Sequence, residues 1–209
     1  MNKIIPGILD KKWSEIERKL EIAKTFTDTI HIDIIDGRLV NNLTFLDPEP
    51  FKKYSSQFFL ELHMMVENPI EFLEPFGKAG FNRFLGHIEQ MPDQKKFIDK
   101  AKELGEAGLA LDGPTSINDI KVPFENLDSI LVYTSDRIGF SGPPLLQTRL
   151  EKIKGLRSLT DIQIGVDGGI NDATISLAKE AGATRFVATS FIFGNGSPEE
   201  NFRKLQACI

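Results

Sequence analysis

The stretch Ile30-His31-Ile32-Asp33-Ile34 alternates apolar and polar side chains at every step. Successive side chains of a β-strand point to opposite faces, so the three isoleucines share one face while His31 and Asp33 share the other. The aliphatic face suits packing beneath a helix, and the polar face places an imidazole beside a carboxylate, two groups that bind metals. The stretch therefore predicts a buried strand that carries a metal-capable pair.

Two later segments repeat this alternation and carry polar residues near their ends. In residues 60–65, His63 and Met65 share the face opposite the leucines, and residues 162–167 end at Asp167. The carboxyl ends of parallel barrel strands form one ring, which brings together side chains that are distant in sequence. The side chains predicted to meet around one ion at this mouth are His31, Asp33, His63 and Asp167.

Short apolar runs alternate with charged amphipathic segments along the chain, at the spacing of repeated strand and helix units. No hairpin spacing or Gly/Ser-rich linker separates the runs, so neighbouring strands should be parallel and belong to one domain. Eight parallel strands close most naturally into a barrel, and the sequence predicts a single-domain (β/α)8 TIM barrel over residues 1–209. The strands are predicted at residues 4–9, 30–34, 58–64, 84–88, 108–111, 130–133, 162–166 and 185–188.

The connecting segments give the predicted helices. Asp10 or Ser14 is expected to cap the first helix, and Asn171 a later one. The connection over residues 37–57 is rich in Asn and Pro, and its length favours a functional lid or short helices over bare coil. Amphipathic periodicity predicts helices over residues 13–23, 93–104 and 145–156.

The composition limits the classes of function. The chain has 209 residues, 41% of them hydrophobic, and a formal net charge of -5. This charge, with no Lys/Arg-rich run, argues against nucleic-acid binding. The sequence begins without a signal-peptide pattern and no stretch is apolar for long enough to span a membrane, so a cytoplasmic protein without a membrane partner is expected. Cys208 is the only cysteine, which excludes an intrachain disulfide.

Six strings occur in this order along the chain: IPGIL at 5–9, HIDIIDG at 31–37, LHMM at 62–65, GLAL at 108–111, VDGGI at 166–170 and SFIF at 190–193. Together they resemble the ribulose-phosphate 3-epimerase family over nearly the whole chain, far more specifically than any one string does. The resemblance implies a barrel isomerase of the pentose phosphate pathway that inverts C3 of a ketopentose 5-phosphate and forms a homo-oligomer.

The resemblance also implies what the polar ring does. It makes the two histidines and two aspartates ligands of one divalent transition metal, with Asp33 and Asp167 also serving as the catalytic acid/base groups. Removing a proton beside a ketone requires stabilisation of the resulting enediolate, which a metal on the substrate oxygens supplies. Inversion requires two carboxylates on opposite sides of the carbon. Neutral imidazoles fit Zn, Fe, Mn or Co better than Mg.

The resemblance further assigns residues to a phosphorylated ketose. Backbone amides at Gly168-Gly169, where a helix is expected to open at Ile170, and at Thr189-Ser190 are expected to bind the phosphate. The full set of expected substrate-binding residues is Gly7, Met65, Gly142, Gly168, Gly169, Thr189 and Ser190.

Several positions depart from the family pattern. Gly7 stands where a serine is usual, Thr189 where a glycine is usual, and Ile35 where a methionine is usual. The loop over residues 133–143 is also rebuilt, with Arg137 as a candidate substrate contact. Because the acid/base residues are retained while the binding residues differ, an epimerase of another ketose phosphate, such as a ketohexose 6-phosphate, is an alternative.

Two further functions belong to other classes. A decarboxylase or aldolase-type synthase of similar barrel fold carries an Asp-x-Lys-x-x-Asp string, and residues 31–36 contain no lysine, which disfavours it. A diverged barrel that binds a metal or sugar phosphate without turnover is the other alternative. Beside the ring, Glu61 is interpreted as a structural carboxylate that needs a partner, and His87 as a satisfied core histidine.

Overall fold

Eight parallel strands pair in chain order, and the last pairs with the first, in the computed structural model, which describes residues 2–209. The strands are β1 (Lys3–Ile8), β2 (Thr29–Ile35), β3 (Phe59–Met65), β4 (Arg83–His87), β5 (Glu106–Leu111), β6 (Ser129–Tyr133), β7 (Gln163–Asp167) and β8 (Arg185–Ala188). The predicted (β/α)8 barrel is confirmed. Each predicted strand overlaps an observed one, and their ends differ by at most two residues.

Helices and turns connect the strands on the outside of the barrel. The α-helices of the described residues are α1 (Trp13–Ala23), α2 (Ile70–Lys78), α3 (Gln94–Lys102), α4 (Leu150–Leu159), α5 (Ile175–Glu180), α6 (Ser190–Phe193) and α7 (Pro198–Gln206). Between residues 2 and 209, no helix is both long enough and apolar enough to cross a bilayer.

The connection from β2 to β3 contains a 3₁₀ helix, Glu49–Tyr54. A short helix is one of the two alternatives that the sequence predicts for this segment. Phe51 and Tyr54 are fully buried. The Trp13 ring meets Phe51 edge-on, with 5.0 Å between ring centroids. This aromatic contact fixes the connection against α1.

The predicted cap of α1 is wrong. Lys12 occupies the N-cap position, and its side chain makes no capping hydrogen bond. Asp10 instead accepts a hydrogen bond from the Lys19 ammonium group at 2.6 Å, and Ser14 already lies inside the helix. The helix is held by burial of its apolar face instead of by a cap.

Two later helices begin after their predicted starts. The helix predicted from residue 145 begins at Leu150, because the backbone N–H of Leu146 donates to the Thr134 carbonyl oxygen at 2.9 Å and holds this segment out of the helix. The Asn171 side chain accepts hydrogen bonds from the N–H groups two and three residues later, which closes a turn. The following helix begins only at Ile175.

The alternation in β2 sorts its side chains as predicted. Ile30, Ile32 and Ile34 belong to the large apolar cluster between the sheet and the helices, so His31 and Asp33 point into the lumen. A second, smaller cluster of five apolar side chains lies inside the lumen: Ile5, Leu85, Ala110, Leu131 and Val187.

The core under α1 should respond strongly to truncation. We expect Leu20→Ala to lower the free energy of unfolding by about 2–5 kcal/mol, because the fully buried Leu20 would leave a cavity. The matched change Leu159→Ala removes a side chain that is 57% exposed, and should cost less than about 0.5 kcal/mol. Urea denaturation of both variants measures the difference, and equal losses would contradict this account of the core.

Candidate metal and substrate site

Four side chains converge at the carboxyl ends of β2, β3 and β7. Each offers one potential ligand atom, and these atoms lie within 4.8 Å of one another. All four residues are buried. The side chains are those that the strand alternation predicts to meet: His31, Asp33, His63 and Asp167.

Strand register produces this convergence. Asp33 pairs with His63 across β2 and β3, and its Oδ1 lies 2.8 Å from His63 Nδ1. The same His63 nitrogen lies 3.5 Å from Asp167 Oδ2, although Asp167 belongs to a strand on another side of the barrel. His31 Nε2 lies 3.3 Å from Asp33 Oδ1. Two imidazole nitrogens and two carboxylate oxygens therefore face a common point.

The hydrogen bonding of His31 leaves one nitrogen for a metal. Its Nδ1 lies 2.7 Å from Glu61 Oε1, and because a carboxylate only accepts, Nδ1–H is the donor. Its Nε2 is buried and makes no hydrogen bond within residues 2–209. A buried, unpartnered imidazole nitrogen beside two carboxylates suits a divalent transition metal, which imidazole and carboxylate ligands bind together.

A chain of hydrogen bonds sets the orientation of His63. Glu89 Oε2 accepts from His87 Nδ1 at 2.8 Å, and the backbone N–H of Asp112 donates to the other oxygen of Glu89 at 2.7 Å. Burial lowers the pKa of His87, which favours the neutral ring. Its Nε2 then accepts from His63 Nε2, 2.8 Å away, which leaves His63 Nδ1 to face the site, where without a metal it donates to Asp33 Oδ1 at 2.8 Å.

The sequence predicts that His87 is a satisfied core histidine, and it is buried and hydrogen-bonded. Its partner, however, is the candidate ligand His63. The signal available in the sequence was Glu89, two residues after His87, because a carboxylate so close can hold one imidazole nitrogen as a donor.

Glu61 has the partners that a buried carboxylate requires. Its Oε1 accepts from His31, and its Oε2 accepts from Arg83 Nη1 at 2.9 Å and Arg185 Nη2 at 2.6 Å. Burial acts to raise the pKa of Glu61, but Arg185, His31 and Arg83 outweigh it and hold the pKa below its usual range. This charged cluster lies directly beneath the ring of potential ligands.

The pKa values of two residues in the ring, His31 and Asp33, are strongly shifted. Burial acts to lower the pKa of His31, yet the carboxylates of Asp33 and Glu61 outweigh it and raise the pKa to about 10. Burial acts to raise the pKa of Asp33, but His31 and His63 overcome it and lower the pKa to about 2. Without a metal, the imidazolium and carboxylate groups thus neutralise one another.

A pocket opens above the ring, and both aspartates, Asp33 and Asp167, line it. Tyr133 and Phe140 also line it, and both belong to the loop over residues 133–143 that departs from the family pattern. Gly7 is absent from the lining. Six of the expected substrate-binding residues do line the pocket: Met65, Gly142, Gly168, Gly169, Thr189 and Ser190.

The loop after β6 covers one side of this pocket. The Tyr133 hydroxyl lies 2.8 Å from the Arg137 carbonyl oxygen and 3.1 Å from that of Phe140, and the Asn42 side-chain amide donates to the Gly139 carbonyl at 2.7 Å. The Arg137 guanidinium lies over the Phe140 ring, 4.3 Å from its centroid, and is not part of the pocket lining. Arg137 therefore packs on the outside of the loop.

Two glycines turn the chain after β7. Gly168 and Gly169 have φ values of +106° and +72°, in the left-handed region that favours glycine. A Cβ on Gly169 would lie 2.0 Å from the backbone nitrogen of Leu145, so no larger residue fits. These left-handed turns also explain why no helix opens at Ile170 as predicted, and the backbone amides here belong to a turn.

Comparison with known proteins places the chain among sugar-phosphate epimerases. A model of the Ribulose-phosphate 3 epimerase family matches residues 3–193. The cytoplasmic isoform of ribulose-phosphate 3-epimerase from Oryza sativa subsp. japonica is 32% identical over 215 residues, covering 99% of this chain and 94% of the relative. The ribulose-phosphate 3-epimerase of Bacillus subtilis (strain 168) is 32% identical, covering 99% of both chains. That of Chlamydia pneumoniae is 38% identical over 186 residues, 84% of this chain and 80% of the relative.

Similar solved structures include two other barrel enzymes. The 3-keto-L-gulonate-6-phosphate decarboxylase from Vibrio cholerae O1 biovar El Tor has a TM-score of 0.75 at 15% identity, covering 99% of this chain and 96% of that one. The 3-hexulose-6-phosphate synthase from Salmonella typhimurium has a TM-score of 0.74 at 15% identity, covering 100% and 98%. At this identity the likeness shows the fold alone and does not favour a decarboxylase or synthase.

The affinity of the metal-free protein for Co²⁺ should rise with pH. A folded-state pKa of about 10 means that His31 Nε2 carries a proton at neutral pH, and this proton must leave before a metal binds. We expect an increase of at least about tenfold per pH unit while the pH stays below 10, because the proton on His31 must leave. Absorption titrations with Co²⁺ at several pH values measure this slope. An affinity that is independent of pH in wild-type protein would contradict the assignment.

The buried charge beneath the ring should be essential for stability. We expect Glu61→Gln to lower the free energy of unfolding by about 3–5 kcal/mol, because Arg185 loses the carboxylate that it contacts while remaining largely buried. The control Glu74→Gln alters an exposed pair with Lys78 and should leave the unfolding midpoint almost unchanged. Urea denaturation without metal compares them, and a harmless Glu61→Gln would refute the role given to this carboxylate.

Proposed function

The chain belongs to the ribulose-phosphate 3-epimerase family of isomerases, and on this basis we propose that it interconverts ribulose 5-phosphate and xylulose 5-phosphate by proton transfer at C3. The observation that carries the proposal is that Asp33 and Asp167 line one pocket while one nitrogen from each of His31 and His63 faces the same point. This arrangement offers both proton-transfer groups and a metal position in a single site.

The two carboxylates have complementary duties. Asp33 is only 3% exposed and has a pKa near 2, so it is ionised at neutral pH, the state in which a carboxylate accepts a proton. Asp167, at the end of β7, is 7% exposed and approaches from another side of the barrel. One aspartate, as the carboxylate, takes the C3 proton, and the other, as the carboxylic acid, delivers its proton to the opposite face of the carbon, which inverts the centre.

The same ring supplies the metal ligands of the proposal. His31 Nε2, His63 Nδ1 and one oxygen from each aspartate would hold one divalent transition metal, with Zn, Fe, Mn and Co as candidates. When bound, the metal stabilises negative charge on the substrate oxygens after the proton has left. Glu61 and the pair of His87 and Glu89 orient the two imidazoles through their outer nitrogens.

The pocket lining provides for the rest of a phosphorylated ketose. Backbone amides at Gly168-Gly169 and at Thr189-Ser190 bind the phosphate, which lets a protein with net charge -5 hold an anion locally. Met65 lies beside the ring and packs against the sugar. The loop after β6 limits the access of water, as proton transfer from carbon requires.

A longer ketose phosphate, such as a ketohexose 6-phosphate, is the second candidate substrate. The departures from the family pattern at Gly7 and in the loop over residues 133–143, which covers one side of the pocket, favour this candidate. We also propose cytoplasmic localisation, in line with the rice relative that is described as a cytoplasmic isoform, and a homo-oligomeric state as in the family resemblance. The absence of a nucleic-acid partner remains a prediction from the net charge.

Solvent deuterium exchange tests the proposed reaction. Metal-loaded protein in deuterated water should incorporate deuterium at C3 of ribulose 5-phosphate and form xylulose 5-phosphate, as followed by NMR. We expect Asp33→Asn and Asp167→Asn each to slow inversion by about 10²–10⁴-fold, because each removes one proton-transfer group. The exposed Asp161→Asn is the matched control and should retain wild-type rates.

The same assay distinguishes the candidate substrates from one another. It also distinguishes an epimerase from a barrel that binds a metal or sugar phosphate without turnover. A panel of ketopentose and ketohexose phosphates identifies the preferred substrate by its rate of exchange. No exchange with any member of the panel, from protein that binds a metal, would refute the epimerase and support a binding protein instead.

A further inference from the structure

Gly7 and Thr189 lie side by side where β1 meets β8. Pro6 pairs with Ala188 in the sheet, so Gly7 and Thr189 are the next residues along the two chains. A Cβ built on Gly7 would lie 2.2 Å from Thr189 Oγ1 and 3.0 Å from Val187 Cγ1. The Thr189 hydroxyl therefore occupies the space that a side chain at position 7 would need.

The Thr189 hydroxyl is not used by the fold around it. Thr189 is the N-cap residue of α6, a position where threonine usually accepts a hydrogen bond from the helix backbone, but its side chain makes no such bond. None of the side-chain hydrogen bonds found within residues 2–209 involves this hydroxyl. Its donor and acceptor capacity remains available.

The hydroxyl without a partner belongs to a residue that lines the pocket above the ring. Thr189 lines the pocket together with Asp33 and Asp167, whereas Gly7, beneath the threonine side chain, does not. Thr189 is half-buried, so a ligand in the pocket can reach it. A hydroxyl without a hydrogen-bond partner, on a residue that lines the same pocket as the two aspartates, can hold an oxygen of a bound sugar phosphate.

We infer that the Thr189 side-chain hydroxyl is a substrate-positioning group, and that position 7 is glycine because Thr189 needs its side-chain space. The two residues form one interlocked pair. The Thr189 hydroxyl, just after β8, contacts the ligand, and Gly7 on β1 contributes no side chain. This inference rests on the proposed function for the identity of the ligand, a phosphorylated ketose. The steric interlock of Gly7 and Thr189 is independent of it.

Substitutions at position 189 separate the hydroxyl from the shape of the side chain. Thr189→Val keeps the shape and removes the hydroxyl, and we expect it to raise KM for ribulose 5-phosphate about five- to tenfold with little change in the unfolding midpoint. Thr189→Ser keeps the hydroxyl and should remain near wild-type KM. Thr148→Val, on an exposed turn, is the control. A purely structural threonine would give the opposite order, with Val tolerated.

A double-mutant cycle tests the interlock without substrate. Gly7→Ser alone should lower the unfolding midpoint and raise KM, because its side chain meets Thr189 Oγ1. Adding Thr189→Gly should restore both properties, since the space is freed and the Gly7→Ser change returns a hydroxyl to it. Additive losses of stability across the four proteins would overturn the interlock.

Binding measurements keep this inference distinct from the proposed reaction. If the wild-type protein binds ribulose 5-phosphate in a thermal-shift assay but does not epimerise it, the proposed function fails while the order of affinities at position 189 still tests the hydroxyl. Wild-type affinity in Thr189→Val, or no binding of ribulose 5-phosphate by the wild type, would overturn the positioning role.

Discussion

The site depends on one buried carboxylate, that of Glu61 on β3. One of its oxygens holds His31 Nδ1 and the other accepts from Arg83 and Arg185, so a single residue joins four strands of the barrel. An uncompensated ion at this depth would be strongly unfavourable, and an unoriented imidazole would not present its lone pair to the mouth. The contacts of Glu61 therefore do two things at once: they compensate the buried charge beneath the ring, and they set the orientation of His31 within it.

The second histidine is oriented by a different route. His63 is held through His87 by Glu89, which in turn accepts from the backbone after β5. Glu61 therefore contacts His31 directly from below the ring, whereas Glu89 acts on His63 only through His87. The outer nitrogen of each ring is thereby occupied, so the inner nitrogens face one point, where a metal would bind them once they have lost their protons. The proton-transfer aspartates complete that ring, so substrate activation and proton transfer share one location.

Much of this arrangement could be predicted from local sequence. The alternation in residues 30–34 identified the lumen-facing pair, and the spacing of apolar runs gave all eight strands. Helix starts were less accurate, since a tertiary hydrogen bond from Leu146 to Thr134 and the left-handed turn at Gly168-Gly169 override the local pattern there. The contribution of His87 was underestimated for a related reason, because its partner across the sheet is not adjacent in sequence.

By itself, the sequence determined the barrel, its order of strands and the four polar side chains at its mouth, because a two-residue alternation and a repeated strand–helix spacing are local properties of the chain. Only the tertiary structure decided what holds these side chains. Glu61 meets Arg185 across 124 residues, and Asn42 meets the Gly139 carbonyl across 97. Barrel closure also seats the Thr189 hydroxyl against Gly7, at opposite ends of the chain. Such pairs join segments that are far apart in sequence, so they exist only in the folded barrel.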